Sequence, residues 1–168
     1  MYFQGEIGLS AKQLIELLEN HVKLHKGLLE LANKKTEVLK KGDTEALNEI
    51  VKEEQKYIAA IGRVEQERIR VVHAMIGETD EPTLTACILQ TEGTERAMLE
   101  KLRDDLSAVL SELKNVNQLN EQLAKQSLQF VHVMLNMLMP QPKEVNYRKP
   151  NVAPSSYEGG SSLFDSKA

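Results

Sequence analysis

The sequence predicts an all-α protein, an elongated antiparallel helical bundle or coiled coil of three long helices with a short connecting helix and an extended C-terminal tail. Ala, Glu, Lys, Leu and Arg supply close to half of the 168 residues, a composition typical of long helices. Proline is absent before Pro82 and from Thr83 to Met139, whereas four prolines lie between Pro140 and Pro154. Apolar residues recur at spacings of three and four in both proline-free stretches, which indicates amphipathic helices.

These observations divide the chain into three parts. We assign residues 1–8 to a tag remnant and leader, because Met1 to Gly5 resembles the scar of a cleavable affinity tag. Residues 9–139 are predicted to form the helical coiled-coil bundle. Residues 140–168, rich in Pro and Ser and ending in a Leu-Phe motif, are predicted to be a flexible tail.

The first helix is predicted to begin at Ser10. Ser10 and Gln13 match a capping box, in which two side chains satisfy free N–H groups at a helix start. An apolar stripe follows from Leu14 to Val38, and only Lys35 interrupts it. Two lysines and Gly42 then predict the helix end.

The second helix is predicted to begin at an Asp43 cap and to end before Gly77. Because the turn is so short, this helix must fold back along the first. Thr83–Gln90 is predicted as a short helix. From Thr94 the pattern predicts one helix of about 45 residues. Its a and d positions hold Leu99, Leu102, Leu106, Val109, Leu113, Val116, Asn120, Leu123, Ser127, Phe130, Met134 and Met137.

Four polar residues interrupt these apolar seams: Glu54, Arg68, Asn120 and Ser127. A buried polar residue in a coiled coil commonly fixes the register of the helices. Alternatively, such residues hold a groove partly open for a partner. The sequence leaves both interpretations open.

Composition and charge exclude several classes of protein. The net charge is −4 with both signs mixed, whereas a nucleic-acid-binding protein shows a basic stripe. No apolar run is long enough for a membrane span, and no signal peptide opens the chain. Four Tyr, three Phe and no Trp offer little to line a ligand pocket. The single Cys87, expected in the core, fits a reducing compartment, and we expect a cytoplasmic protein.

No catalytic residue, metal site or cofactor is predicted. His21 and His25 lie one helical turn apart and suit a shared metal ion, but no further ligands accompany them, so we expect polar residues in or beside the seam. Histidine phosphotransfer bundles place Lys-Gly three and four residues after the reactive His. Here Lys26-Gly27 would place that histidine at Lys23, so phosphotransfer is a lesser alternative.

The end of the third long helix carries more apolar residues than one buried face needs. Eight of the ten residues from Phe130 to Met139 are apolar, spread over an arc of about 240°, whereas a core-facing stripe needs somewhat over 100°. Phe130, Met134 and Met137 are expected to face the bundle, and the surplus is either covered by the chain itself or free for a partner. The candidate partner-binding residues are Phe130, Val131, Met134, Leu135, Leu138 and Met139, and the candidate tail-docking residues are Leu163 and Phe164.

In the order and spacing of its segments the chain resembles the FlgN family of flagellar export chaperones, in its Bacillus-type form. The resemblance covers nearly everything from Leu9 onward. It is carried by Asn33-Lys34-Lys35-Thr36-Glu37, Lys41-Gly42-Asp43-Thr44, Glu53-Glu54-Gln55-Lys56-Tyr57-Ile58, Glu67-Arg68, Asn117-Gln118-Leu119-Asn120-Glu121-Gln122-Leu123, Ser127-Leu128-Gln129-Phe130 and Leu163-Phe164-Asp165-Ser166-Lys167-Ala168.

The resemblance implies a cytoplasmic, non-enzymatic protein that binds the two hook–filament junction proteins through their helical termini. It would keep them unassembled and deliver them to the flagellar type III export gate. The family places cargo binding in the C-terminal part, and in some relatives an exposed C-terminal Tyr docks at the gate. Tyr147 and Tyr157 are the candidates for that role, and neither matches a motif. We expect a monomer or weak dimer without membrane insertion; the alternative is a structural coiled coil that dimerises through the same apolar surface.

Overall fold

The computed structural model describes residues 3–77 and 83–139, with side chains from Ser10 onward. These residues form four helices and no strand: α1 Phe3–Lys41, α2 Thr44–Ile76, α3 Leu84–Gln90 and α4 Gly93–Leu138. The predicted helical bundle and its short connecting helix are confirmed. Leu163, Phe164 and the rest of the predicted tail lie outside the described residues.

The predicted start of α1 at Ser10 is wrong. The helix begins at Phe3 and therefore includes residues that the sequence assigned to the tag remnant and leader. A Ser side chain caps a helix only where the preceding backbone leaves the helical conformation. Residues 3–9 contain no proline that would force such a break, so Ser10 lies within the helix.

The turn between α1 and α2 forms as predicted. Gly42 has a φ of 69°, in the left-handed region that glycine tolerates. The Asp43 carboxylate accepts a hydrogen bond from the Ala46 N–H at 3.0 Å, which caps α2. The two helices are consequently antiparallel. Tyr57 of α2 packs over Gly27 of α1 so closely that a Cβ on Gly27 would collide with the tyrosine ring.

The fourth helix runs parallel to α1, so the long helices go up, down and up. Leu99, near the start of α4, packs in one cluster with Leu14 and Leu18 of α1, whereas Asn120 contacts Ala32 and Thr36 further along. Helices α2 and α4 each pack along α1 but barely contact each other. The short helix α3 packs against both of them.

The main core lies at the end of the bundle where α3 sits. Cys87 and Ile88 of α3 are buried there, and burial raises the pKa of the Cys87 thiol, which therefore stays neutral. Burial of these aliphatic side chains fixes α3 between α2 and α4. The cluster comprises Ala11, Leu14, Ile15, Leu18, Val72, Met75, Cys87, Ile88 and Leu99.

Polar side chains join α2 and α4 to α1. Lys35, the residue that interrupts the apolar stripe, donates from Nζ to both carboxylate oxygens of Glu54 at 2.6 and 2.8 Å. The Asn120 side chain donates to the Ala32 carbonyl at 2.8 Å and accepts from the Thr36 hydroxyl at 2.7 Å. Each contact forms at only one alignment of the helices, which supports the register interpretation.

The other two polar seam residues behave differently. Arg68 pairs with Glu65 on its own helix at 2.7 Å. The heptad pattern predicts Ser127 in the seam, but Ser127 is exposed, and its hydroxyl donates to the Leu123 carbonyl at 3.0 Å. The seam of α4 is therefore shorter than the pattern predicted.

We expect the Lys35→Met variant to lose about 3 kcal/mol of unfolding free energy, because it leaves the largely buried Glu54 carboxylate without its cation. Lys35→Met combined with Glu54→Leu should recover most of this loss. Urea denaturation measures both. Lys40→Met, which removes only the exposed pair with Glu37, is the matched control and should barely change stability. Equal losses in the two single variants would contradict this account.

Candidate partner-binding surface

The end of α4 extends beyond the helices that support it. Asn120 is level with Ala32 and Thr36 of α1, and α1 ends at Lys41. Each residue from Lys125 to Met139 is exposed. We call residues 127–139 the projecting end. Among the described residues, no helix packs beside it.

All six candidate partner-binding residues lie on this projecting end and are exposed. The expectation that Phe130, Met134 and Met137 face the bundle is wrong, because these side chains are 61, 42 and 73% exposed. Their heptad spacing continues past the point where α1 stops, so the seam has no partner there. The exposed apolar residues are Leu128, Phe130, Val131, Val133, Met134, Leu135, Met137, Leu138 and Met139.

The projecting end has no formally charged side chain except the titratable His132. Residues 126–139 contain no Asp, Glu, Lys or Arg, and their polar members are Gln, Ser, His and Asn. Contiguous apolar surface of this kind marks an interaction site on a protein. Methionine side chains are flexible, a property typical of surfaces that accept partners of different shape.

Seven of the nine exposed apolar residues of the projecting end lie on two faces. Phe130, Met134 and Met137 continue the seam that packs against α1 lower in the bundle. Residues seven apart share one face of a helix in this coiled-coil geometry. Val131 and Leu138 therefore form a second face beside the seam, together with Leu128 and Leu135.

A second apolar feature, which the sequence did not reveal, lies between α2 and α4. Because these helices barely contact each other, they leave a cavity of about 440 Å³ over α1, which we call the slot. The sequence feature that could have indicated this cavity is the pair Val51 and Ile58, two apolar residues seven apart beside the α2 seam. The slot is lined by Leu28, Lys35, Leu39, Leu47, Val51, Glu54, Ile58, Asn117, Asn120, Glu121 and Ala124.

Two of the polar seam residues, Glu54 and Asn120, line this slot. They therefore serve the register of the bundle and also border an open groove. An open groove, which the second interpretation requires, therefore lies beside two of the four residues.

The two histidines lie inside the bundle. Their rings stack at 5.5 Å, and His25 Nδ1 lies 2.8 Å from the His21 carbonyl oxygen. His21 Nε2 lies 3.3 Å from the Glu65 carboxylate without forming an aligned hydrogen bond. A phosphoryl donor needs access to a ring nitrogen, and burial of both rings disfavours that chemistry. The described residues bring together no group of three or more His, Cys, Asp or Glu suited to a metal ion.

Burial lowers the pKa of His21, and the nearby Glu65 carboxylate only partly opposes this effect. A hydrogen bond from Arg68 lowers the pKa of Glu65, which keeps that carboxyl ionised. His21 is therefore neutral in the folded protein near neutral pH.

None of the described helices is both long enough and apolar enough to cross a membrane. The longest, α4, has an apolar end, but its remaining length is amphipathic and charged.

The fold and this surface define an all-helical protein that presents an exposed apolar helix end and an apolar slot. The sequence model of the FlgN protein family matches residues 1–154. YvyG, an uncharacterised protein of Bacillus subtilis strain 168, is 43% identical over 160 residues, which cover 95% of this chain and all of that protein. The chain belongs to the FlgN family of flagellar chaperones, which confirms the resemblance. No solved structure matches the chain significantly.

We expect the stability of the bundle to fall in acid because of His21. The pKa of His21 lies below its ordinary 6.5 in the fold, so the unfolded chain takes up this proton first as the pH falls. Unfolding free energy should decrease below about pH 6.5 by up to about 1.4 kcal/mol per pH unit, until the pH passes the folded pKa.

Urea denaturation between pH 7.5 and 5.5 tests this expectation. His21→Gln should flatten the slope, whereas His132→Gln, at an exposed position, should retain it. Identical slopes in His21→Gln and the unmodified protein would show that His21 is not responsible.

Proposed function

We propose that this FlgN-family protein is a cytoplasmic chaperone of flagellar type III export. It binds the helical termini of the hook–filament junction proteins, prevents their premature assembly and delivers them to the export gate. The observation that carries the proposal is the projecting end of α4, which is exposed, apolar and without formal charge. The family supports the flagellar chaperone role in general, and the particular partners rest on the resemblance.

An amphipathic cargo helix fits the second face of the projecting end. Val131, Leu135 and Leu138 recur at spacings of four and three. Contact residues have this spacing where an amphipathic helix binds in a groove. Phe130, Met134 and Met139 flank this line and extend the contact. Burial of about 600 Å² of apolar surface contributes on the order of 15 kcal/mol, before association and ordering costs cancel much of it.

The function needs no chemistry on the cargo. The FlgN family is a family of chaperones and is not known for enzymatic activity. We propose that the protein acts without a catalytic residue, metal or cofactor, by covering an apolar helix that would otherwise assemble or aggregate. Because the projecting end lacks formal charge, cargo binding should depend little on salt.

The C-terminal tail supplies a competitor for the same surface. We propose that Leu163 and Phe164 cover part of the projecting end when cargo is absent. The 23 residues from 140 to 162 extend up to roughly 75 Å, which is ample to return from Met139 to Leu135. Tyr147 and Tyr157 lie on the same segment and are the proposed candidates for docking at the export gate.

Leu135→Glu with Leu138→Glu tests cargo binding. Two buried carboxylates should weaken binding to purified hook–filament junction proteins at least 100-fold, since each lost Leu contact costs about 1.5 kcal/mol or more. Isothermal calorimetry measures the affinity, and far-UV circular dichroism should show unchanged helicity. Leu89→Glu with Leu119→Glu, at exposed apolar positions away from the projecting end, is the matched control. Undiminished binding by the Leu135/Leu138 variant would refute the proposed surface.

Leu163→Ser with Phe164→Ser tests the competing tail. Removing the competitor should raise the affinity for junction proteins several-fold, mainly through faster association. Surface plasmon resonance separates the two rate constants. Ser161→Ala with Ser162→Ala changes neighbouring polar residues and should have no effect. Equal association rates for all three proteins would exclude tail docking.

A structural coiled coil is the second candidate function. The seam residues Phe130, Met134 and Met137 keep heptad spacing without a partner helix, as they would if a second copy paired with them. Light scattering over a range of concentrations distinguishes the two. The chaperone should be a monomer or weak dimer that forms a complex with cargo. A dimer that persists on dilution and does not bind junction proteins would favour the structural function.

A further inference from the structure

We propose that the slot between α2 and α4 is a second part of the docking surface, and that it takes an amphipathic helix of the partner. The partner helix would lie along α2 and α4 and continue onto the projecting end. This inference rests on the proposed function and extends it, because it gives the partner a second contact and a minimum helical length.

The groove between α2 and α4 already holds one helix of this chain. Helix α3 packs in one half of the groove, and the slot is its open half. Leu14, Leu28 and Lys35 are separated by multiples of seven residues and so follow one line along α1. Leu14 lies in the cluster that α3 covers, whereas Leu28 and Lys35 line the open half. On α2, Glu54 and Arg68 share a face in the same way. Glu54 lines the open half, and Arg68 lies near Cys87 of α3.

The slot suits an apolar occupant. Val51 and Ile58 of α2 are 38 and 58% exposed beside it. Its least exposed polar groups already have partners: Lys35 pairs with Glu54, and Asn120 is hydrogen bonded to α1. An incoming helix therefore meets apolar walls without having to satisfy a buried charge.

The slot is continuous with the projecting end. Asn117 and Ala124, which line the slot, share their heptad position with Val131 and Leu138. Glu121 likewise shares its position with Leu128 and Leu135, and its carboxylate is paired with Lys125 at 2.6 Å. From Asn117 to Leu138 this face is about 32 Å long, the length of a helix of about 20 residues.

The tail of this chain does not suit the slot. Four prolines between Pro140 and Pro154, and Gly159-Gly160 after them, oppose a helix of the required length. The terminal segment offers Leu163 and Phe164 as its only adjacent large apolar residues, which are too few to cover both the slot and the projecting end. A partner helix with Leu, Ile, Val or Met at spacings of three and four fits this length.

Val51→Glu with Ile58→Glu in the full-length chain tests the slot, with a purified hook–filament junction protein as the probe. We expect at least tenfold weaker binding in calorimetry, with unchanged helicity, because both side chains are already exposed. Leu89→Glu with Leu119→Glu is again the control of equal charge and should bind normally. Independently, a benzophenone amino acid at position 58 should cross-link to the junction protein, whereas one at position 89 should not.

The outcomes separate this inference from the proposed function. If the slot variant binds normally while Leu135→Glu with Leu138→Glu does not, the inference is overturned and the proposed function stands. If neither variant loses binding, both are overturned. Cross-links from position 58 to the C-terminal segment, or to a second copy of the chain, in place of the junction protein would also overturn the inference.

Discussion

One turn of α1 sets the alignment of the whole bundle. Ala32, Lys35 and Thr36 are close neighbours on that helix, and they make hydrogen bonds to both other long helices. Glu54 fixes the height of α2, and Asn120 fixes the height of α4. Apolar side chains of similar size slide past one another at small cost, whereas these pairs lose their hydrogen bonds with any shift. The level at which α4 leaves the bundle follows from this turn.

The helices were predictable where the signal is local. Gly42 and Asp43 determine their turn through the backbone conformation of one residue and the side chain of the next, and Thr83 caps α3 in the same way. Ser10 carries a similar local signal, yet it lies inside α1. A capping side chain favours a helix start but does not break a helix that the preceding residues can continue.

The two candidate surfaces depend on relations between helices that periodicity does not contain. Phe130 and Met134 occupy the same heptad positions as residues that are buried lower in α4. Only the alignment of Asn120 with Thr36 shows that α1 ends before it reaches them. The surplus of apolar residues left two alternatives open, cover by the chain itself or contact with a partner, and the pattern wrongly assigned Phe130, Met134 and Met137 to the core. Predicting the slot would have required knowing that α2 and α4 lie apart. Val51 and Ile58 gave only an ambiguous signal of that separation.

The projecting end continues a helix that is already formed inside the bundle. A short free peptide of this sequence would have to nucleate its own first turn, an unfavourable step with an equilibrium factor of about 10⁻³. In α4 the residues up to Leu123 provide that nucleus, because packing on α1 holds them helical. Each further residue therefore adds to an existing helix at the much smaller propagation cost. The part of α4 that packs on α1 therefore determines the helical conformation of the projecting end.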